Sequence, residues 1–95
     1  MIDIEQLERE LASDQPAKAI SSADKMLAHR GGASPETVAM ALYLRGNAHR
    51  RQGNIRLALN DYLASIELFP DGPAADAYRM AQEVLNFYHH DLYNP

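Results

Sequence analysis

The sequence predicts an all-α protein, and three observations support this fold class. The chain of 95 residues is rich in Ala and poor in Val and Ile, a composition that favours helix over sheet. Its apolar residues recur at spacings of three and four, as on one face of a helix. Pro and Gly fall between these apolar stretches, where helices begin and end. We therefore expect about five antiparallel helices in a single domain covering residues 1–95.

The first two predicted helices each have one apolar side. The stripe of the first consists of Ile4, Leu7 and Leu11. Ser13 interrupts this pattern, and Pro16 suits the first turn of a second helix, where its missing N–H is not needed. The apolar side of the second helix consists of Ala19, Ile20, Ala23, Met26 and Leu27. Gly31 and Gly32 then end it.

The third predicted helix begins with a strong capping signal. The Ser34 hydroxyl can cap the helix, Pro35 fits its first position, and Glu36 faces the positive end of the helix dipole. This helix should run to about Arg51. A turn of Gln52, Gly53 and Asn54 follows it.

Two more helices complete the predicted architecture. The apolar face of the fourth consists of Ile55, Ala58, Leu59, Tyr62, Ile66 and Phe69. Pro70 and Gly72 end it, and Pro73 opens a fifth helix. The apolar face of the fifth consists of Ala77, Tyr78, Ala81, Val84, Leu85 and Tyr88. Met26, Met40, Met80, Phe69 and Phe87, which also fall at helical spacing, are expected in the core or at helix seams rather than around a cofactor.

Composition excludes several classes of function. A net charge of −4 argues against general nucleic-acid binding, which normally needs a basic surface. The chain has no Cys, so neither disulfides nor thiolate metal sites support the fold. The first residues lack a basic start and an apolar run, and no window approaches the length of a membrane span. We expect a cytoplasmic protein that binds neither nucleic acid nor membrane.

The middle of the chain resembles the tetratricopeptide repeat family, whose unit is about 34 residues forming two antiparallel helices. The residues that carry the resemblance are Leu42, Gly46, Gln52, Gly53, Asn54, Ala58, Tyr62, Ser65 and Pro70. Small residues at Gly46 and Ala58 would allow close contact between the helices. Arg45 and His49 depart from the family pattern, which more often has Leu and Tyr there.

The resemblance implies an α-α superhelix of two hairpins and a cap. A weaker copy of the motif from Asp14 to Ile20 places the first repeat at about 3–30 and the second at about 35–70. A lone helix at about 73–90 would then cover the last apolar face, as in repeat arrays generally. Residues 86–95 also resemble the tails of small stand-alone bacterial proteins of this class.

The candidate binding residues lie on one side of the third helix, which in this family lines a concave surface that takes extended peptides. They are Met40, Tyr43, Asn47, Arg50 and Arg51. The tyrosine could stack, the amide could hold a peptide backbone, and either arginine could hold a carboxylate in a two-pronged contact. Between residues 37 and 60 the chain has four arginines and no acid, namely Arg45, Arg50, Arg51 and Arg56. This predicts a basic outer face, although the same residues could simply solvate an exposed helix.

The leading hypothesis is a non-catalytic adaptor that binds an acidic or C-terminal segment of a partner protein. A clamp for chaperone tails, known in the family, is not expected, because only Asn47 matches it. The first alternative is a self-associating structural protein, such as a homodimer, that buries the end-helix residues Phe87, Tyr88, Leu92 and Tyr93.

A small enzyme or metal protein is the least favoured alternative. Adjacent histidines on a helix point about 100° apart, so His89 and His90 do not readily share one ion. His29 and His49 belong to different predicted helices, with no nucleophile placed near either. No cofactor and no catalytic residue are expected.

Overall fold

The computed structural model describes the backbone of residues 3–93 and the side chains of residues 3–87. Five α-helices and no strands make up this described part, which confirms the predicted all-α class. The helices are α1 (Ile4–Ala12), α2 (Pro16–Ala28), α3 (Pro35–Arg51), α4 (Ile55–Leu68) and α5 (Ala74–Tyr93).

Capping side chains fix where α1 and α3 begin. The Asp3 carboxylate accepts a hydrogen bond of 2.9 Å from the Gln6 N–H at the start of α1. The Ser34 hydroxyl accepts one of 3.2 Å from the Thr37 N–H at the start of α3, as the sequence predicts. The turn between α3 and α4 contains Gly53 with φ of +82°, a conformation that glycine adopts without a steric penalty.

The α3 helix is the centre of the fold and runs antiparallel to α4. Near its start, the Ala39 carbonyl accepts a 2.7 Å hydrogen bond from the Ser65 hydroxyl. Near its end, the Asn47 side chain is bonded to Tyr62. Residue numbers thus rise along α3 as they fall along α4. The opposite side of α3 packs against α1 and α2, and α5 packs against α4.

Two apolar clusters form the core. The first, shared by α1, α2 and α3, consists of Leu7, Leu11, Ala19, Ala23, Ala41, Leu44 and Ala48. The second, shared by α4 and α5, consists of Ala58, Tyr62, Ala74, Ala77 and Ala81. Tyr43 packs against both clusters. This tyrosine, predicted to bind a partner, therefore also joins the two halves of the core.

The expectation of a basic outer face is wrong at Arg45. Its guanidinium lies between α2 and α4 and donates two hydrogen bonds, of 2.8 and 2.7 Å, to the Asp61 carboxylate. A third, of 2.9 Å, goes to Asp24. His49 also contributes to this seam, with its Nε2 atom 3.7 Å from Asp61. Arg45 and His49, the two residues that depart from the repeat pattern, thus both lie beside the buried Asp61. The Asp61 carboxylate neutralises Arg45, so this arginine is not available to a partner.

The bonds to Asp61 stabilise the charged form of Arg45. They raise the pKa of the guanidinium above its usual value, against the opposing effect of burial. The side chain of Asp61 is only 8% exposed and that of Arg45 24%. This ion pair is therefore a fixed part of the interior.

Candidate functional site

The two adjacent arginines among the predicted site residues extend toward different helices. The Arg51 guanidinium donates a hydrogen bond to the Leu11 carbonyl at the end of α1. The Arg50 side chain instead lies beside α5, in the wall of two cavities. Because successive helical residues point about 100° apart, α3 can reach both neighbours. Of these two arginines, only Arg50 borders the cavities beside α5.

The middle of the predicted site is held by the buried Tyr62. Its hydroxyl donates a 2.6 Å hydrogen bond to the Asn47 side-chain oxygen, and its ring centroid lies 6.0 Å from that of Tyr43 at an interplanar angle of 40°. The Asn47 oxygen is thus used within the molecule, and its amide N–H groups are the part left for a ligand. Met40 is half-buried on the same helix.

Arg50 also acts electrostatically on Tyr62. Burial raises the pKa of the Tyr62 phenol, because the charged phenolate is poorly solvated there, and the positive charge of Arg50 opposes this rise. The charges of Tyr43 and Asp61 add to the increase. Arg50, Tyr62 and Asn47 therefore form one electrostatic unit at the side of α3.

The two cavities beside α5 share lining residues, and we call them together the Arg50 groove. The larger, of about 700 Å³, lies between the α3–α4 turn and α5. Its walls include Arg50, Ile55, Leu57, Val84 and Leu85. The smaller, of about 410 Å³, is lined by Arg50, Met80, Glu83, Val84 and Phe87. Arg50 and Val84 belong to both cavities and mark the boundary between them.

Large apolar side chains in the groove are exposed. The exposed fraction is 48% for Leu57, 52% for Met80, 40% for Val84 and 62% for Phe87. The prediction that Met80 and Phe87 are core or seam residues is wrong, because Ala77 and Ala81 fill the contact with α4 instead. A second apolar stripe at spacings of four and three, visible in the sequence, was the available signal for this surface.

The charge of Arg50 is not neutralised by a close contact. Its guanidinium forms no hydrogen bond or ion pair with any residue that the structure describes, in contrast to those of Arg45 and Arg51. Glu83 lines the smaller cavity without forming an ion pair to it. The groove can therefore offer an incoming anion a guanidinium that has no ligand to give up among the described side chains.

No cluster of metal ligands is evident in the described residues. No group of three or more His, Asp or Glu side chains there is arranged to hold a metal ion. His29 follows the end of α2, whereas His49 lies in α3 beside Asp61. The side chains of His89, His90 and Asp91 lie outside the described part, as do those of Tyr88, Leu92 and Tyr93.

Among helices of the described residues, none combines the length and the apolar character needed to cross a bilayer.

Comparison with known proteins identifies a structural relative. No protein-family model and no curated protein matches this chain. The fold is similar to the solution NMR structure of Bacteroides fragilis protein BF1650, with a TM-score of 0.81. The two sequences are 34% identical, and the match covers 99% of this chain and 91% of that one. Identity at this level over nearly the full length of both chains shows that this protein belongs to the same family as BF1650.

Proposed function

We propose that this chain is a non-catalytic adaptor that binds a segment of a partner protein in the Arg50 groove. The observation that carries the proposal is the Arg50 guanidinium, which has no close partner within the described part of the chain, beside four exposed apolar side chains. The resemblance of residues 39–72 to tetratricopeptide repeats supports it, because that family consists of protein-binding scaffolds. A role in the bacterial cytoplasm belongs to the same proposal.

The chemistry of the groove suits an acidic segment. A guanidinium can donate two parallel hydrogen bonds to a carboxylate, and such charge-assisted bonds are stronger than neutral ones. The apolar side chains around it add affinity without directional requirements, at about 25 cal/mol for each Å² removed from water. Arg45 and Arg51 already have ligands within the fold, and Arg56 lines only the larger cavity. Arg50 lines both cavities, so it is the residue to which we assign recognition of the acid.

Affinity capture with matched variants tests this function. Arg50→Glu should abolish capture of the native partner. Arg79→Glu makes the same charge change on an exposed arginine of α5, whose side chain is 67% accessible and near Asp76, and should leave capture intact. Circular dichroism should show equal helicity in both variants. Equal recovery of the partner by wild-type protein and Arg50→Glu would place binding elsewhere.

Self-association is the second candidate function. It is favoured by the exposure of Met80, Val84 and Phe87 along α5, since a second copy could cover such a stripe. Light scattering over a wide concentration range separates the two functions. A mass that stays at one chain throughout would exclude assembly as the role.

A further inference from the structure

We propose that the ligand of the Arg50 groove is an extended segment with one carboxylate between two apolar side chains, at alternating positions. This inference rests on the proposed function and specifies the partner chemistry. It derives from the order of features along the groove. Two cavities with largely apolar walls share the Arg50 guanidinium, and Arg56 also lines the larger one.

Each cavity is suited to an apolar side chain. The larger is bordered by Ile55, Leu57 and Leu85. The smaller is bordered by Met80 and Phe87. Their volumes, about 700 and 410 Å³, fall in the range of about 300–1,000 Å³ that ligand pockets occupy. Among the side chains that the structure describes, residues 3–87, none closes either cavity, so both require an occupant to remove their apolar walls from water.

The charges in the groove place the acid between the apolar side chains. Arg50 stands at the boundary of the two cavities, together with Val84. Glu83 lines only the smaller cavity, where it would repel a second carboxylate. Arg56 lines only the larger cavity. A segment with an acid at the boundary reaches Arg50 and avoids Glu83, whereas an acidic run extending into the smaller cavity meets Glu83.

An extended backbone delivers these three groups to one surface. Side chains two residues apart in an extended chain point to the same side. The pattern is therefore apolar, any residue, acid, any residue, apolar. The intervening side chains face away from the groove and contribute little to selectivity.

A second copy of this chain is a poorer occupant than a peptide. An isologous dimer centred on the groove would set the same surface against itself. Because that surface is a depression, two of them would enclose space instead of filling it. A narrow segment that projects its side chains into the cavities fills them directly.

Synthetic peptides provide the test. The probe is an acetylated and amidated peptide containing Leu-Ser-Glu-Ser-Leu, so that the internal Glu is its only charged group. Binding is measured by amide NMR titration of the full chain. Replacing Glu by Gln, or either Leu by Ser, should weaken binding about tenfold, which corresponds to about 1.4 kcal/mol. Added salt should weaken the Glu peptide but not the Gln peptide.

Variants of the protein show which groove residue contacts each side chain of the peptide. Arg50→Gln should bind the Glu and Gln peptides equally. The affinity of the Leu57→Ser protein for the peptide should no longer change when one of the two Leu residues is replaced by Ser. The affinity of the Met80→Ser protein should no longer change when the other is replaced. Leu57 and Met80 are about half exposed, so these variants should fold normally. Arg79→Gln should retain the full selectivity of the wild-type protein.

Several outcomes would overturn the inference. Equal affinity of wild-type protein for the Glu and Gln peptides would do so, as would an absence of binding by every peptide. Tighter binding of a peptide with acids at both ends would also exclude the proposed order. A dimer in sedimentation that Arg50→Gln dissociates would identify a second copy as the occupant. If capture of the native partner still requires Arg50 while these peptides fail, the adaptor function stands and only the ligand pattern falls.

Discussion

The backbone of Gly46 in α3 lies directly against the ring of Tyr62 in α4. A Cβ atom at Gly46 would be 2.6 Å from Cε1 and 2.9 Å from Cδ1 of that ring, and 3.3 Å from the Ala58 carbonyl oxygen. The ring has no room to yield, because Tyr62 is fully buried. The close packing of α3 on α4 therefore depends on the absence of a side chain at residue 46.

Gly46→Ala should destabilise the protein. Overpacking typically costs about 1–3 kcal/mol, and here it opposes a gain of about 1 kcal/mol from the better helix propensity of Ala. We expect a lower free energy of unfolding in urea. Gly32→Ala is the control, because nothing lies within 4 Å of its Cβ position. A Gly46→Ala protein as stable as wild type would show that the helices can separate without penalty.

Loss of the Asp61 charge should be far more damaging than loss of the Asp24 charge. Asp61→Asn leaves the partly buried Arg45 without its two-pronged partner, and breaking a buried pair costs about 3 kcal/mol or more. Asp24 is 57% exposed in its side chain, so Asp24→Asn should cost no more than about 1 kcal/mol. Urea denaturation of both variants checks the difference. Similar losses in the two would mean that Arg45 is held mainly by solvent-exposed contacts.

Ionisation of Tyr62 should limit stability at high pH. Burial raises its pKa in the folded state above the unfolded value of about 10. The resulting stabilisation is complete below the unfolded pKa and is lost as pH rises through the folded pKa. Alkaline unfolding should accordingly be less steep in Tyr62→Phe than in wild type.

The Tyr62→Phe substitution also measures the contribution of the hydrogen bond to Asn47, separately from the effect of Tyr62 ionisation. At neutral pH, Tyr62→Phe loses the bond to Asn47 and should be about 0.5–1.5 kcal/mol less stable. Urea titrations at neutral and alkaline pH report both quantities. An unchanged difference between the two proteins across this range would contradict the raised pKa.

Arg51→Gln should loosen α1 without affecting the Arg50 groove. The substitution removes the bond from the guanidinium to the Leu11 carbonyl at the end of α1. It also removes a positive charge that interacts favourably with the negative end of the helix dipole there. Amide exchange in α1 should accelerate about two- to tenfold. Arg50→Gln, which has no contact with α1, should leave that exchange unchanged. Uniform acceleration across all helices would instead indicate global destabilisation.

Local signals in the sequence were enough to predict the helices and their closest contact. The Ser34 cap, Pro16 and Pro35 at helix starts and the small residue at Gly46 all depend on neighbours a few residues away or on the adjacent helix. The pairing of α3 with α4 follows from the short turn between them. Such features depend on backbone geometry, which the residue types themselves restrict.

The partners of the charged residues could not be predicted in the same way. Helical periodicity gives the direction in which Arg45 points from the helix axis, but it does not give the residues that lie there. The acids that bind Arg45, Asp61 and Asp24, are 16 and 21 residues away in the sequence. The α5 helix has two apolar stripes, and their spacing is alike. Only the packing shows that the stripe containing Ala77 and Ala81 faces α4, and that Met80, Val84 and Phe87 remain exposed.

The hairpin of α3 and α4 contacts its neighbours through two boundaries of different chemistry, α2–α3 on one side and α4–α5 on the other. The two neighbours can therefore be exchanged separately. The α2–α3 boundary includes the ionic bridge of Arg45 to Asp24, whereas α5 rests on Tyr62 through Ala74, Ala77 and Ala81. A protein engineer could therefore exchange the terminal helix for another that presents the same alanines, and so graft new specificity. Replacing the first hairpin would demand an acid at the Asp24 position as well.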